Sequence, residues 1–158
     1  MRLEIRPAAP GEEGLVFGFI AKLAHYENLL HEVVATEADI REALFGEHPR
    51  CHCELAFWDG APAGFALWFY NFSTFAGKAG IYLEDLFVEP DLRGKGIGKA
   101  LLRQLARRCV EEGLPRLQWW VLDWNTPSIA AYEAMGAKPM SEWTVYRVSG
   151  PELEALAR

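Results

Sequence analysis

Residues 81–102 limit the fold most tightly, because they join a strand, a glycine-rich turn and a helix. Residues 81–88 are an apolar run of strand length, and Pro90 then removes a donor that a strand ladder needs. Apolar side chains next recur at the spacing of one helix face, at Ile97, Leu101, Leu102, Leu105 and Cys109. Because the first amides of a helix lack intrahelical partners, this unit predicts an anion site at the turn.

The turn between the strand and the helix fits neither common phosphate motif. The pattern G-x-x-x-x-G-K-[ST] fails because Arg93 replaces its first glycine and Ala100 follows Lys99. The pattern G-x-G-x-x-G fails at Lys99. What remains, Arg-x-x-Gly-x-Gly, resembles the pyrophosphate-binding turn of the GCN5-related N-acetyltransferases (GNAT), which bind acetyl-coenzyme A. An ordinary glycine turn before a helix is the alternative that the turn alone leaves open.

Length and hydropathy predict a single domain, residues 1–158, in which 51% of the residues are hydrophobic. No apolar run approaches the ~18 residues of a membrane span, and the first residues lack the apolar core of a signal peptide. We therefore expect a cytoplasmic protein that does not bind membranes.

Charge is distributed unevenly around a net charge of −6. Residues 93–108 contain six bases and no acid, whereas residues 1–50 contain nine acids and five bases. A basic turn suits a phosphorylated cofactor and an acidic remainder suits a cationic substrate, although a solvated helix face explains the arginines equally well. An acidic chain with so short a basic stripe predicts no nucleic-acid partner.

Cys51-His52-Cys53 is the only cysteine and histidine cluster that suggests a metal site. These residues begin a predicted strand, so both thiols point one way and the imidazole points the other. One metal ion could not easily take all three, and we predict no metal. Cys109 belongs to the apolar helix face, and a disulfide is not expected in a cytosolic chain.

Periodicity, caps and turn signals predict the order β-α-α-β-β-β-α-β-α-β with a short terminal helix. Asp59-Gly60 is a hairpin signal, but Pro62 predicts a turn longer than two residues. The strand over residues 116–122 is almost wholly apolar, which favours a central position. The predicted strands are 3–6, 51–59, 63–72, 81–88, 116–122 and a strand or hairpin at 138–148; the helices are 12–30, 36–45, 97–112, 126–135 and 151–158.

This order is similar to the α/β (α+β) GNAT fold, a mixed, mostly antiparallel sheet with splayed central strands flanked by helices. The resemblance implies that the strands ending at Val88 and near Leu122 splay apart. Coenzyme A would lie in the gap, with backbone groups of Leu86, Phe87 and Val88 pairing with its pantetheine arm.

Acetyl transfer to an amine needs a proton acceptor, because an ammonium group of pKa ~10.4 must first become neutral. Glu84 is the candidate acceptor, since a carboxylate inside an apolar strand is costly unless it is paired or used. Asp85 is its rival, and without a bulge only one of the two can face a given cleft. Either carboxylate could instead cap backbone or pair with a base. Tyr132 is the candidate acid for the departing thiolate, unless it is a core tyrosine.

Two longer motifs are similar to the diamine acetyltransferase branch of the family, which acts on spermidine, spermine or thialysine. They read Y-L-E-D-L-F-V-x-P-x-x-R-G-x-G-I-G and V-L-D-W-N-x-x-S/A-x-x-x-Y-x-x-x-G-A. The resemblance implies a homodimer, Glu84 as base and Tyr132 as acid. It implies a cofactor site of Leu86, Phe87, Val88, Arg93, Gly94, Lys95, Gly96, Ile97, Gly98, Lys99, Asn125, Thr126, Pro127, Ser128 and Tyr132, and an amine site of Tyr26, Glu27, Glu84, Asp85, Gln118, Trp119, Trp120 and Glu142.

Departures from that branch leave the substrate open. Where the polyamine enzyme has an aspartate, this chain reads Phe72-Ser73-Thr74-Phe75, which makes a shorter amine more plausible. Residues 136–143 are about three residues shorter than in the relatives, so the match of Glu142 is insecure. Two further hypotheses are a protein lysine or N-terminal acetyltransferase and a non-catalytic coenzyme A-binding module.

Overall fold

The computed structural model describes residues 2–158. They divide into two compact units, one ending at Trp120 and the other comprising Val121–Arg158. Within the described residues, the first unit holds one five-stranded sheet and three α-helices, and the second holds two α-helices. The single domain expected over residues 1–158 stays a prediction.

The sheet of the first unit has the strand order β1-β2-β3-β4-β5. Neighbours from β1 to β4 are antiparallel, and β4 pairs with β5 in parallel, which confirms the predicted mixed fold class. Among the described strands β5 lies at the edge, so its predicted central position was wrong, because an apolar run does not fix a strand's place in a sheet. The strands are β1 (Leu3–Pro7), β2 (His52–Trp58), β3 (Ala61–Ser73), β4 (Lys78–Val88) and β5 (Leu117–Trp119).

Helices cover both faces of this sheet. On one face, α1 (Glu13–Tyr26) and α2 (Glu37–Phe45) enclose a core in which the Phe19 ring lies 5.4 Å from that of Phe65 and 6.2 Å from that of Phe87. On the other face lies α3 (Ile97–Glu112). All five apolar positions predicted for α3 from its periodicity are buried.

Helix α1 ends four residues earlier than predicted. Asn28 adopts a left-handed φ of 61°, its N–H donates to His25, and the N–H of Leu29 donates to Ala24. These two bonds form a Schellman motif, which closes the helix after Tyr26. The capping box predicted at the start of α2 is present, since Thr36 and Asp39 exchange side-chain to backbone bonds.

The β2–β3 hairpin has a two-residue turn, so the longer turn expected from Pro62 was wrong. Asp59 and Gly60 both have positive φ, 51° and 84°, and Trp58 pairs directly with Ala61. Positive φ at both central residues is typical of a type I′ turn, whose twist matches that of the flanking antiparallel strands. Alternate residues of such a ladder direct their N–H away from the partner, so Pro62 can occupy the next position.

A charged pair is buried between α3 and the sheet. Glu54 on β2 is 1% exposed, and its carboxylate accepts bonds from Arg108 at 3.1 Å and from the Trp68 indole at 3.2 Å. On the same strand the His52 ring lies 4.6 Å from that of Trp68, whereas Cys53 is buried in the core of the α1 face. The opposed directions predicted for residues 51–53 are thereby confirmed. In residues 2–158, no group of three histidine, cysteine or acidic side chains could hold a metal.

The second unit consists of α4 (Thr126–Ala134) and α5 (Gly150–Leu156), with irregular backbone between them. Residues 138–148 form no strand, which makes that prediction wrong. A strand needs a neighbour to satisfy its backbone hydrogen bonds. The described part of this unit contains no strand with which residues 138–148 could pair. No helix within residues 2–158 is both long and apolar enough for a membrane crossing.

Candidate active site

The glycine turn joins β4 to α3 and leaves helix amides available. Gly94 and Gly96 both have a φ of 83°, a conformation that favours glycine, and Gly96 immediately precedes the helix. A Cβ atom at either position would meet no protein atom within 4 Å, so the space beside the turn is open to a ligand. The turn is therefore a cradle of backbone N–H groups at a helix N-terminus, which suits a phosphate group.

Beside this turn, the last residues of β4 have one edge without a strand partner among the described residues. Its parallel pairing with β5 extends only from Ile81 to Leu83 among the described residues. The following residues of β4, up to Val88, continue as a strand that pairs with β3 alone. An extended ligand could therefore add to this edge through main-chain hydrogen bonds.

A bulge in β4 determines where the two candidate acids point. Trp68 pairs with Leu83, but its neighbour Leu67 pairs with Asp85, so Glu84 is the extra residue. The bulge breaks the alternation of side chains, and Asp85 comes to share the α1 face with Leu67. Glu84 is exposed and Asp85 is half-buried. Both acids affect the pKa of Cys51 and of Tyr82, which places them in one electrostatic neighbourhood.

Asp85 sits in the most perturbed environment of this neighbourhood. Burial, followed by the charges of Glu84 and Glu27, raises the pKa of Asp85 to about 7. Burial also raises the pKa of Glu27, next to the end of α1. Burial and the two β4 acids raise the pKa of Tyr82 to about 12. The site thus concentrates negative charge where water is partly excluded, which favours a cationic ligand.

The raised pKa of Asp85 predicts a pH-dependent stability. The pKa of Asp85 is about 7 in the folded state and has an ordinary value of 3.8. Between these two pH values the folded state therefore binds more protons than the unfolded state. This contribution is fully present below about pH 4 and is lost as the pH rises through about 7. We expect Asp85→Asn to flatten the fall in melting temperature over that window, measured by thermal unfolding at constant ionic strength. An unchanged slope would contradict the assigned cause.

Aromatic side chains line the neighbouring strands. The Tyr82 ring lies 5.1 Å from Phe69 and 5.7 Å from Trp120, in an edge-on arrangement with the latter. The side-chain amide oxygen of Gln118 accepts a hydrogen bond from the side-chain amide of Asn71 at 3.2 Å. Trp119 shares its register with Leu83 and therefore faces the opposite side of the sheet from Gln118. The predicted amine-site residues of β5 are thus divided between the two faces.

The second unit carries the remaining predicted site residues. Asn125 is the N-cap of α4, is 8% exposed, and donates its N–H to Leu122 at 2.9 Å. Its side chain makes no capping bond, so helix capping does not account for its burial. Tyr132 lies within α4, whereas Glu142 lies in the irregular segment and is exposed.

The acetyltransferase (GNAT) family model matches residues 20–137 of the chain. The chain belongs to the GNAT acetyltransferase family. It is 35% identical to a thialysine N-epsilon-acetyltransferase from Bos taurus, over 97% of this chain and 96% of that protein. It is 29% identical to an L-ornithine N5-acetyltransferase from Arabidopsis thaliana, over 96% of this chain and 86% of that protein.

A solved structure shares the GNAT fold of this chain over its whole length. The integron cassette protein from the mobile metagenome of V. cholerae superposes with a TM-score of 0.82 at 29% identity, covering 100% of this chain and 99% of that one. Family and fold together identify this GNAT protein as an acyltransferase enzyme.

In this acetyltransferase the first unit brings the expected groups together on one segment. The bulge acids, the open edge of β4 and the glycine turn follow one another between Glu84 and Lys99. Sequence reasoning missed the contact between the Phe69 and Tyr82 rings, for which alternation along β3 was the available signal. It also missed the contacts of the Arg93 side chain, which no periodicity encodes.

Proposed function

We propose that this enzyme transfers the acetyl group of acetyl-coenzyme A to a primary amine of a small cationic molecule. The amine would belong to a diamine, a polyamine, thialysine or a lysine-like compound. The observation that supports this most strongly is the pair of acids at the β4 bulge, next to an open strand edge and a glycine turn. The names of the thialysine and ornithine acetyltransferase relatives point to the same class of amine.

The residues of the turn and of β4 suit acetyl-coenzyme A, which supplies an acetyl group activated as a thioester. Backbone N–H groups of the turn and of the first turn of α3 would hold the diphosphate, where the missing Cβ atoms leave open space. The open edge of β4 would pair with the pantetheine arm. The residues that the resemblance assigns to the cofactor are Leu86, Phe87, Val88, Arg93, Gly94, Lys95, Gly96, Ile97, Gly98, Lys99, Asn125, Thr126, Pro127, Ser128 and Tyr132; the Arg93 side chain is given a different role below.

Direct attack by the amine requires two proton transfers by the protein. Glu84 accepts a proton from the substrate ammonium, directly or through water, which leaves a nucleophilic amine. The nitrogen then bonds to the acetyl carbon as the carbon–sulfur bond breaks. The Tyr132 hydroxyl donates its proton to the departing sulfur. The new amide nitrogen loses its second proton to solvent, the proton on Glu84 also passes to solvent, and Tyr132 regains one proton from solvent.

Asp85 is a second candidate for the proton acceptor. Its pKa of about 7 is better matched to a base that works near neutral pH than that of an ordinary aspartate. The bulge also places Asp85 on the α1 face of the sheet, where the charge of Glu27 acts on it. We retain Glu84 as the acceptor because it is exposed to an incoming substrate, and Asp85 then serves as an acidic neighbour that attracts the ammonium group.

The amine site that the resemblance implies is rich in acids and aromatic rings. Acids provide the charge complement and aromatic rings provide faces for a cation. The residues assigned to it are Tyr26, Glu27, Glu84, Asp85, Gln118, Trp119, Trp120 and Glu142.

Gly96→Ala is expected to raise KM for acetyl-coenzyme A about tenfold or more, because it adds a side chain to the cradle and strains a left-handed φ. Steady-state kinetics with varied cofactor measure this effect. Gly113→Ala is the matched control, since Gly113 caps the other end of the same helix with a φ of 71°. An equal rise in KM in both variants would contradict a direct role of the turn.

A substrate screen tests the proposed reaction. Polyamines, diamines, thialysine, ornithine, lysine and lysine-containing peptides are each supplied with acetyl-coenzyme A, and thiol release is recorded. We expect turnover with free amines and little with peptides. Preferred turnover of peptides would favour a protein acetyltransferase, and cofactor binding without turnover would favour a non-catalytic module.

We also propose a homodimer that works in the cytoplasm. Large apolar side chains are exposed in each unit, Phe72 and Phe75 in the first and Trp143 and Tyr146 in the second. Sedimentation equilibrium of the purified protein would give the oligomeric state.

A further inference from the structure

Arg93 opens the glycine turn, yet its side chain points back from the turn towards α1. Its Nε–H donates to the Val88 carbonyl oxygen at 3.0 Å. Its guanidinium carbon lies 5.0 Å from the centre of the Tyr26 ring and 5.4 Å from that of Phe87. The side chain thus contacts the end of α1 and the end of β4 at the same time.

These two contacts join the two halves of the proposed site. Val88 ends β4, at the edge assigned to the pantetheine arm, and Tyr26 ends α1, at the position assigned to the amine. Phe87 is 5% exposed in the core of the α1 face, so it is a fixed support for the guanidinium. A planar guanidinium can stack on a ring and donate from its edge at once, which a lysine ammonium cannot reproduce.

A second contact, between α1 and the residue that follows β4, provides an internal comparison. Lys22, one turn before Tyr26 on α1, forms an ion pair with Glu89 at 2.8 Å. Both partners are partly exposed, with 55% and 26% of their side-chain surface accessible. Such exposed pairs contribute little to stability. Lys22 therefore serves as a comparison, because it joins α1 to the residue after β4 but has no bond to Val88.

We propose, on the basis of the proposed function, that Arg93 is a positioning residue and not a ligand of the diphosphate. It holds the end of α1, which carries Tyr26, at a set distance from the end of β4. The amine nitrogen and the acetyl carbon are thereby aligned. The backbone amides of the turn hold the cofactor without help from the Arg93 side chain.

Two acetyl donors distinguish these roles, acetyl-coenzyme A and S-acetyl-pantetheine, which has no phosphate. We expect Arg93→Met to lower kcat about tenfold with either donor, because misalignment of the reacting atoms does not depend on the diphosphate. The dissociation constant of coenzyme A, measured by calorimetry, should change less than about threefold. A loss of activity confined to acetyl-coenzyme A, or a large loss of coenzyme A affinity, would overturn the positioning role.

Two further variants complete the experiment. Lys22→Met should change kcat less than about twofold, and a loss as large as that of Arg93→Met would overturn the assignment by showing a general loosening of α1. Arg93→Lys should recover only part of the activity that Arg93→Met loses. Full recovery would overturn the role given to the planar guanidinium, because charge alone would then suffice. Absence of turnover on every amine with the unmodified enzyme would refute the proposed function instead, so the two failures are distinguishable.

Discussion

Replacing Glu84 with glutamine is expected to lower kcat/KM for amine acetylation about 10²–10⁴-fold. Without an acceptor, only the small neutral fraction of the amine can attack, and that fraction grows as the pH approaches the amine pKa of ~10.4. The activity of Glu84→Gln should therefore recover towards alkaline pH. Thiol release measured from about pH 6 to 10 records both effects.

Glu4→Gln is the matched control, because Glu4 is an exposed glutamate on a strand of the same sheet, outside the proposed site. It should leave the rate and the pH profile unchanged. Asp85→Asn separates the two candidate acceptors. If it abolishes turnover while Glu84→Gln keeps near-normal activity, the acceptor is Asp85 and our assignment of Glu84 is wrong.

Arg108→Met is expected to lower the free energy of unfolding by about 3 kcal/mol. Glu54 is 1% exposed, and removal of the guanidinium 3.1 Å away leaves its carboxylate buried, with only the Trp68 indole as a partner among the described residues. The figure is at the low end for buried pairs because Arg108 keeps 30% of its side-chain surface accessible. Urea denaturation at neutral pH measures the change.

The neighbouring Arg107 provides the control, since it is exposed on the same helix and its replacement with methionine should cost less than about 0.5 kcal/mol. The double variant Glu54→Leu with Arg108→Met should recover most of the lost stability, because no buried charge remains. Equal stability of Arg108→Met and Arg107→Met would show that the Glu54 carboxylate is stabilised by other means.

Much of the fold could be predicted because its signals are local. The apolar stripe of α3 follows from a 3.6-residue repeat, and the start of α2 follows from Thr36 and Asp39. The glycine turn between β4 and α3 was predictable for the same reason, and its use as an anion site stays a prediction. The end of α1 was missed although Asn28 signals it, because an asparagine adopts a left-handed φ only in some contexts.

Features that depend on pairing across the sheet could not be predicted. The bulge at Glu84 follows from the register of β3 against β4, which brings Asp85 opposite Leu67. The edge position of β5 and the irregular residues 138–148 likewise depend on which strands find partners. A side-chain period describes one strand, whereas register is a property of two strands.

The sequence alone determined the strand, glycine turn and helix between residues 81 and 112, since these depend on backbone preferences of neighbouring residues. The tertiary structure alone decided that the charge of Glu27 acts on Asp85, that Arg93 reaches Tyr26, and that Glu54 is buried against Arg108. The partners in these three interactions are separated along the chain by 54 residues or more, as between Glu54 and Arg108. Only the packing of helices on a paired sheet brings such residues within reach, and that packing sets the charge and alignment of the site.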